Sequence, residues 1–299
     1  MGMPAPAAVT VESPVAPPFH LSYALAYFRR FPAAFVEQAD ECSYTRALDA
    51  ATAMRVEAAG TEDAPALRIH VWRGDSLAPA PGDVAAAVDM ARRAFAADDP
   101  LPPPPRDPVL AELAARWPGL RPARFPDPFE CLCWAILGQQ ITVAFAARLK
   151  RTLLQRYGHR GPGGLPLFPG PADLVAADPS ELAAAQFSRQ KIRYLLAVAA
   201  QPPDWAAIAH LPTEEAVAAL TALPGVGRWT AEYVLMRSLG FRDVIPAADA
   251  GLKRAVGTAY GLGRRASEAE VRERAAAWPG FAAYAAFHWW YALQQGLYR

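Results

Sequence analysis

The sequence predicts an α+β protein in two unequal parts, a small N-terminal β-rich α/β domain followed by an all-α domain. Three observations carry this. Short runs before residue 75 alternate apolar and polar residues, a cluster of prolines occupies 100–108, and beyond it apolar residues recur at helical spacing between capping residues.

In chain order, residues 1–18 are rich in Pro and Ala without periodicity and read as a disordered arm. Residues 19–99 read as the N-terminal α+β domain. A helical pattern starts at Phe19 (Leu21, Leu25, Phe28), strands follow at 43–48, 53–56 and 67–72, and 84–95 has the apolar spacing of an amphipathic helix. In 67–72, Leu67, Ile69 and Val71 alternate with polar neighbours. Residues 100–108 hold Pro100, Pro102, Pro103, Pro104, Pro105 and Pro108, which sustain neither helix nor central strand, so the segment reads as a stiff linker. Residues 109–299 read as an all-α domain. Asp178-Pro179-Ser180-Glu181 supplies an N-cap, a proline at the first helical position and a carboxylate at the third. Ser267 and Glu270 have capping-box spacing, and Gly240 closes a helix that begins near Arg228.

Composition narrows the class of protein. With 53% hydrophobic and 20% charged residues among 299, the chain can bury a sizeable core. No apolar run reaches the roughly 18 to 20 residues of a membrane span, and the N-terminus carries no basic and apolar export pattern, so a cytoplasmic protein is expected. Cys42, Cys131 and Cys133 are an odd set, too few for a four-thiolate metal site, and the Cys-x-Cys pair in an apolar stretch reads as buried small side chains. The net charge of +1 is unevenly spread: up to Asp107 there are 9 Arg and no Lys against 14 acidic residues, and from Pro108 onward 21 basic against 15 acidic. The C-terminal part therefore carries the positive charge, as a domain facing a polyanion would.

The most informative stretch is Leu223-Pro224-Gly225-Val226-Gly227-Arg228-Trp229-Thr230-Ala231, set between helical patterns at 214–222 and 229–239. Two glycines around one small apolar residue allow a tight turn whose backbone N–H groups point outward at a helix N-terminus, where an anion such as a DNA phosphate is held without reading sequence. A lone Gly-x-Gly would equally be an ordinary helix–helix turn. Beyond that stretch comes Ile245-Pro246-Ala247-Ala248-Asp249-Ala250-Gly251-Leu252-Lys253, with Asp249 twenty residues past Trp229. Taken alone, Asp249 could simply cap a helix starting at Ala250.

Together these motifs resemble the helix-hairpin-helix glycosylase superfamily, and within it the DNA-3-methyladenine glycosylase II (AlkA-type) branch. The hairpin string and Pro246-Ala247-Ala248-Asp249 carry the likeness. So do Ala135-Ile136-Leu137-Gly138-Gln139-Gln140-Ile141, similar to the stretch that enters the duplex gap, and His288-Trp289-Trp290-Tyr291, similar to the C-terminal aromatic wall. The likeness runs from about residue 17 to 291.

The resemblance implies a monofunctional glycosylase that releases alkylated purines from double-stranded DNA containing damaged bases, acting as a monomer at the nucleoid. Asp249 would be the catalytic carboxylate, stabilising the oxocarbenium character that builds on the sugar as the N-glycosidic bond breaks. Trp229, Tyr233, Trp290 and Tyr27 would wall the base pocket, holding an extrahelical and often cationic base by stacking and cation–π attraction. Gly225, Val226, Gly227, Gln140 and Lys191 would contact DNA. No cofactor is required, but Na+ or K+ could sit on the carbonyls of Thr221, Leu223 and Val226. Gln140 stands where the best-known member has leucine, and Ala250 where it has tyrosine. A lyase of this fold would carry an amine nucleophile at the position of Trp229. Two alternatives stay open: a glycosylase for oxidised or deaminated bases, and a non-catalytic structure-specific DNA-binding protein, which would need neither Asp249 nor the aromatic wall.

Overall fold

The alternating segments of the first seventy-five residues build an antiparallel sheet. In the computed structural model, which describes residues 8–30 and 36–298, its strands are β1 (Val9–Pro14), β2 (Gln38–Ala39), β3 (Ser43–Ala47), β4 (Thr52–Gly60) and β5 (Pro65–Arg73), in the order β1-β5-β4-β3-β2. β1 corrects an expectation, because it falls inside the stretch read as a disordered arm. Val9 and Val11 lie opposite Val71 and Ile69, and Pro14 ends an edge strand, where its missing N–H breaks no ladder. The Pro/Ala-rich composition around them hides this two-valine alternation. Residues 1–7 lie outside the described residues.

Among the described residues the α-helices are α1 (Leu21–Phe28), α2 (Pro81–Ala94), α3 (Pro108–Arg116), α4 (Pro128–Gly138), α5 (Val143–Tyr157), α6 (Pro171–Val175), α7 (Pro179–Ala184), α8 (Arg189–Ala200), α9 (Trp205–Ala209), α10 (Thr213–Thr221), α11 (Arg228–Val234), α12 (Ala250–Ala259), α13 (Glu268–Ala275) and α14 (Ala282–Gln294). α2 lies across β1, β4 and β5 on its small buried residues Ala87, Ala91 and Ala94. The caps fall where the sequence places them. Asp178 accepts from the Ser180 N–H at 2.7 Å, and Ser267 and Glu270 exchange both capping-box bonds. Asp107 caps α3 with Pro108 at its first position, so the last expected linker residue is already helical. The C-terminal part is not purely helical. β6 (His159–Arg160) and β7 (Pro166–Leu167) form a small hairpin around the 3-10 turn Pro162–Gly164. Gly163 and Gly164 take positive φ there, and a Cβ on Gly161 would lie 2.5 Å from that of Ala47 on β3, so the glycines both make the turn and let it pack on the sheet.

The proline run does not separate two cores. One continuous apolar cluster includes Tyr44, Leu67 and Ile69 from the sheet and Leu132, Val234 and Trp289 from the helices. α1 packs on α14 through Tyr23 against Tyr291 (ring centroids 5.6 Å) and Tyr27 against Phe287 (5.7 Å). A fully buried charge chain crosses the same boundary. Arg46 on β3 pairs with Glu37 and with Glu130 on α4, both at 2.7 Å, and Glu130 takes Lys150 of α5 at 2.5 Å. Burial alone would raise the Glu130 carboxyl, but Lys150 and Arg46 outweigh it and hold the group below its usual range. Breaking such a pair leaves an uncompensated interior charge, so the chain fixes how α4 sits against the sheet. α4 in turn carries one lip of the cavity described next.

Candidate active site

A cavity of about 1180 Å³ opens between α1, the α4–α5 turn, α11, the start of α12 and α14, large enough for an extrahelical purine. Asp249 is half-buried in its wall and at the same time caps α12. Its Oδ1 accepts the Leu252 N–H at 2.9 Å, the N-cap bond of α12, and also the Trp290 indole N–H at 3.0 Å. The helix start fixes the carboxylate and Trp290 ties it to the aromatic wall. Gly251 makes room for this, since a Cβ there would lie 3.0 Å from Oδ1. Ala250 is exposed at the cavity lip.

The structure brings together all four expected wall residues. Trp229 and Tyr233, one turn apart on α11, have ring centroids 5.5 Å apart at 32°, and Tyr233 meets Trp290 at 5.9 Å and 49°. Tyr27 reaches the cavity from α1. Of the C-terminal aromatic run only Trp290 lines the cavity; Trp289 is fully buried core and His288 is buried.

The hairpin runs from α10 into α11. Gly225 has φ +80°, and a Cβ on it would strike the Tyr194 ring at 2.2 Å, so the turn requires glycine twice over. Gly227 is the N-cap of α11 at φ −85°, and a Cβ there meets nothing within 4 Å. The Val226 N–H closes the turn onto the Leu223 carbonyl at 3.1 Å and its side chain is buried, which differs from the free outward amide expected there. Among the described residues the amides of Gly225 and Gly227 have no backbone partner.

Lys191 also departs from expectation. Instead of standing free for a phosphate it is buried, and its ammonium donates to the carbonyls of Ile136 (3.1 Å) and Gln139 (2.8 Å) at the end of α4. Burial lowers its pKa. Its charge suits a helix C-terminus, where carbonyls lack intrahelical partners. The neighbouring Gln139 amide donates to the Gly225 carbonyl (2.9 Å) and to Thr230 Oγ1 (3.1 Å), clamping the α4–α5 turn to the hairpin. That turn presents Gln140 exposed, at φ +57°, on the cavity lip.

Sequence reasoning missed Gln139, Trp134 and above all Arg237. α11 continues through a π turn at Leu235–Leu239, closed by Gly240 at φ +79°, and Arg237 lies inside that turn. Its side chain is fully buried at the inner end of the cavity. Nε donates to the Ala123 carbonyl at 2.7 Å, and Nη1 donates to the hydroxyls of Tyr27 (2.7 Å) and Tyr233 (3.4 Å). The guanidinium lies 4.3 Å from the Tyr27 ring centroid. One signal was present: a lone charge inside the apolar run Val234-Leu235-Met236-Arg237.

A glycine hairpin at a helix N-terminus beside an aromatic cavity with one carboxylate in its wall is an arrangement able to hold a phosphate and a single extrahelical base. Kinship agrees. Residues 133–279 match the model of the HhH-GPD superfamily base excision DNA repair proteins. The chain is 30% identical over 280 residues to DNA-3-methyladenine glycosylase 2 of Escherichia coli, covering 92% of this chain and 94% of that one. It is 31% identical over 194 residues to a DNA-3-methyladenine glycosylase of Bacillus subtilis, covering 62% of this chain and 64% of the relative's length. The 3-methyladenine DNA-glycosylase of Archaeoglobus fulgidus superimposes with a TM-score of 0.77 over 95% of this chain and 97% of that one, at 24% identity, which speaks to fold alone. The chain belongs to the HhH-GPD superfamily of base excision DNA repair proteins.

Proposed function

We propose that this chain is a monofunctional DNA glycosylase that hydrolyses the N-glycosidic bond of alkylated purines, 3-methyladenine among them, in double-stranded DNA. The bond between the base nitrogen and C1′ breaks with its electrons leaving on the base, and water adds to C1′ and gives up a proton, to the departing base or, where a cationic alkylpurine leaves neutral, to solvent. The observation that carries the reading is the 3.0 Å bond from the Trp290 indole to Asp249. It joins an indole and a carboxylate within one cavity, which supports a site that both holds and releases a base, whereas a structure-specific DNA binder would need only the hairpin. Asp249 stabilises the positive charge developing on the sugar, which lowers the barrier most in a site shielded from water. Trp229, Tyr233, Trp290 and Tyr27 hold the base, Gln140 stands at the gap it vacates, and the amides of Gly225 and Gly227 hold a phosphate. The carbonyls of Thr221, Leu223 and Val226 at the end of α10 would take Na+ or K+ between hairpin and phosphate; among the described residues no cluster of three or more His, Cys, Asp or Glu could hold a metal ion.

The lysines support monofunctional chemistry. Trp229 occupies the position of a lyase amine, Lys150 is fully buried against Glu130, and Lys191 is held by carbonyls. Base release from duplexes carrying single lesions tests the reading, with borohydride trapping in parallel. The expected result is free base, an intact abasic strand and no covalent band. A trapped adduct that disappears in Lys253→Ala would overturn the monofunctional assignment in favour of a lyase acting on oxidised bases.

A further inference from the structure

The inner end of the cavity holds a polar arrangement that stacking alone does not require. Tyr27 and Tyr233 converge on one guanidinium nitrogen, Arg237 Nη1, at 2.7 and 3.4 Å, and the Tyr233 hydroxyl also accepts the Trp134 indole N–H at 3.0 Å. Arg237 itself is out of a ligand's reach. Its side chain is fully buried, and Nη2 is sealed among the rings of Tyr27, Phe125, Tyr233 and Phe287 without a hydrogen-bond partner. What it does reach are the two phenol oxygens.

A phenol oxygen has one hydrogen to donate and lone pairs to accept with. Tyr233 accepts from two fixed donors, an indole and a guanidinium, neither of which can reverse. Both acceptor sites of the Tyr233 oxygen are thereby taken, so it offers none to the Tyr27 hydroxyl on the same guanidinium nitrogen. Tyr27 accepts from Arg237 at 2.7 Å, so its hydrogen is turned away from the guanidinium and is left for the open cavity that its side chain lines. The direction of every bond follows from the unalterable donors at the start of the chain. A neutral phenol would ordinarily serve as donor or acceptor by rotation; here rotation toward the guanidinium would set two positive ends together.

We infer that Tyr27 is a specificity-determining residue, a hydrogen-bond donor to an acceptor atom on the extrahelical base, and that Arg237, by donating to its oxygen, is the positioning residue that turns its hydrogen toward that base. The inference rests on the glycosylase reading and adds an edge-reading contact to its aromatic walls. A site built to hydrogen-bond one atom discriminates against an analogue lacking that atom, because a buried donor is left without a partner.

The test is a cycle of protein and base substitutions read as binding, in an Asp249→Asn background so that turnover does not intervene. Duplexes carry hypoxanthine, its 3-deaza or 7-deaza analogue, or purine lacking the 6-carbonyl, so that each analogue loses one acceptor. With Tyr27 present, one analogue is expected to bind about five- to tenfold more weakly than hypoxanthine, the range of a lost hydrogen bond. Tyr27→Phe, which keeps the ring, should erase that difference and leave the other two ratios unchanged. Arg237→Met should weaken the same ratio and add nothing further on top of Tyr27→Phe, an effect that loosened packing would not confine to one acceptor. Thermal melting monitors its folding, and Tyr27→Phe alone decides the matter if it fails to fold. Ratios that Tyr27→Phe leaves unchanged for all three analogues would overturn the inference. Absence of base release by the unmodified enzyme on every lesion duplex is a separate outcome that would bring down the glycosylase reading and this contact with it.

Discussion

The hairpin and the inner end of the cavity hold their polar groups in opposite ways. The hairpin offers backbone: amides at Gly225 and Gly227, arranged by a positive φ and a helix start within a few residues of chain. The inner end offers side chains from three distant elements, Tyr27 of α1, Trp134 of α4 and Tyr233 of α11, gathered around Arg237 in the π turn. Backbone presented to solvent suits a ligand that is the same everywhere along DNA, its phosphate. Side chains locked in a desolvated corner suit one that differs from base to base. Asp249 stands between the two, fixed locally by its own helix and tied at long range to Trp290.

That intermediate position makes Asp249 the strongest lever. Asp249→Asn keeps an oxygen for the Leu252 and Trp290 donors but removes the charge. Single-turnover base release is expected to fall by about 10²- to 10³-fold, the size of one lost electrostatic contact to a transition state, while lesion-duplex binding stays within a few-fold. Near-normal release would reduce Asp249 to a cap and leave the hairpin as the only functional limb.

These two limbs were unequally legible in the sequence. The hairpin and Asp249 are short-range signals: glycine spacing, proline placement and a cap are read from neighbours along the chain. Asp178, Ser267 and Gly240 were readable for the same reason. Residues acting across the fold were misread or missed. Lys191 is an ordinary helical lysine until the end of α4 is seen beneath its amine, and no spacing rule links Arg237 to Tyr27 across 210 residues. β1 was lost because two alternating valines are too few to outweigh the prolines and alanines around them. The continuous core was lost because a proline run marks where helix stops and says nothing of whether the flanking units touch.

α14 sharpens the contrast between local and assembled polarity, since Trp290 faces the cavity while His288, two residues earlier, faces the core. Burial pushes the His288 imidazole down to about 4, and Nδ1–H donates to the Tyr284 carbonyl at 2.8 Å. The unfolded chain takes up a proton here below its ordinary value near 6.5, and the folded chain does not until about 4. Unfolding is therefore favoured progressively as pH falls from 6.5 to 4, by about 3 kcal/mol from this one group, and the effect levels off below that window. Denaturant titrations across pH 4 to 7 check it: His288→Phe should flatten this part of the profile, and an unchanged slope would mean that the imidazole is protonated inside the fold.

The smallest expected effect separates the two glycines of the hairpin. Gly225→Val forces a side chain into positive φ and into the Tyr194 ring, so it should damage the turn itself and lower stability along with DNA binding. Gly227→Val meets neither obstacle, since φ is −85° and the Cβ position is open. A valine there can only obstruct what approaches from outside. Its thermal midpoint should stay close to the parent while affinity for duplex DNA falls about tenfold, equally for lesion-bearing and undamaged duplexes, because a backbone–phosphate contact carries no base information. Titrations of both duplexes at two salt concentrations measure this. If Gly227→Val weakened only the lesion duplex, the hairpin would be reading the base, and the division of labour between backbone and pocket would fail. If it left both affinities intact, no phosphate would lie against this face of the turn, and the anchoring contact would have to be sought along the exposed Arg30 and Arg254 that border the cavity.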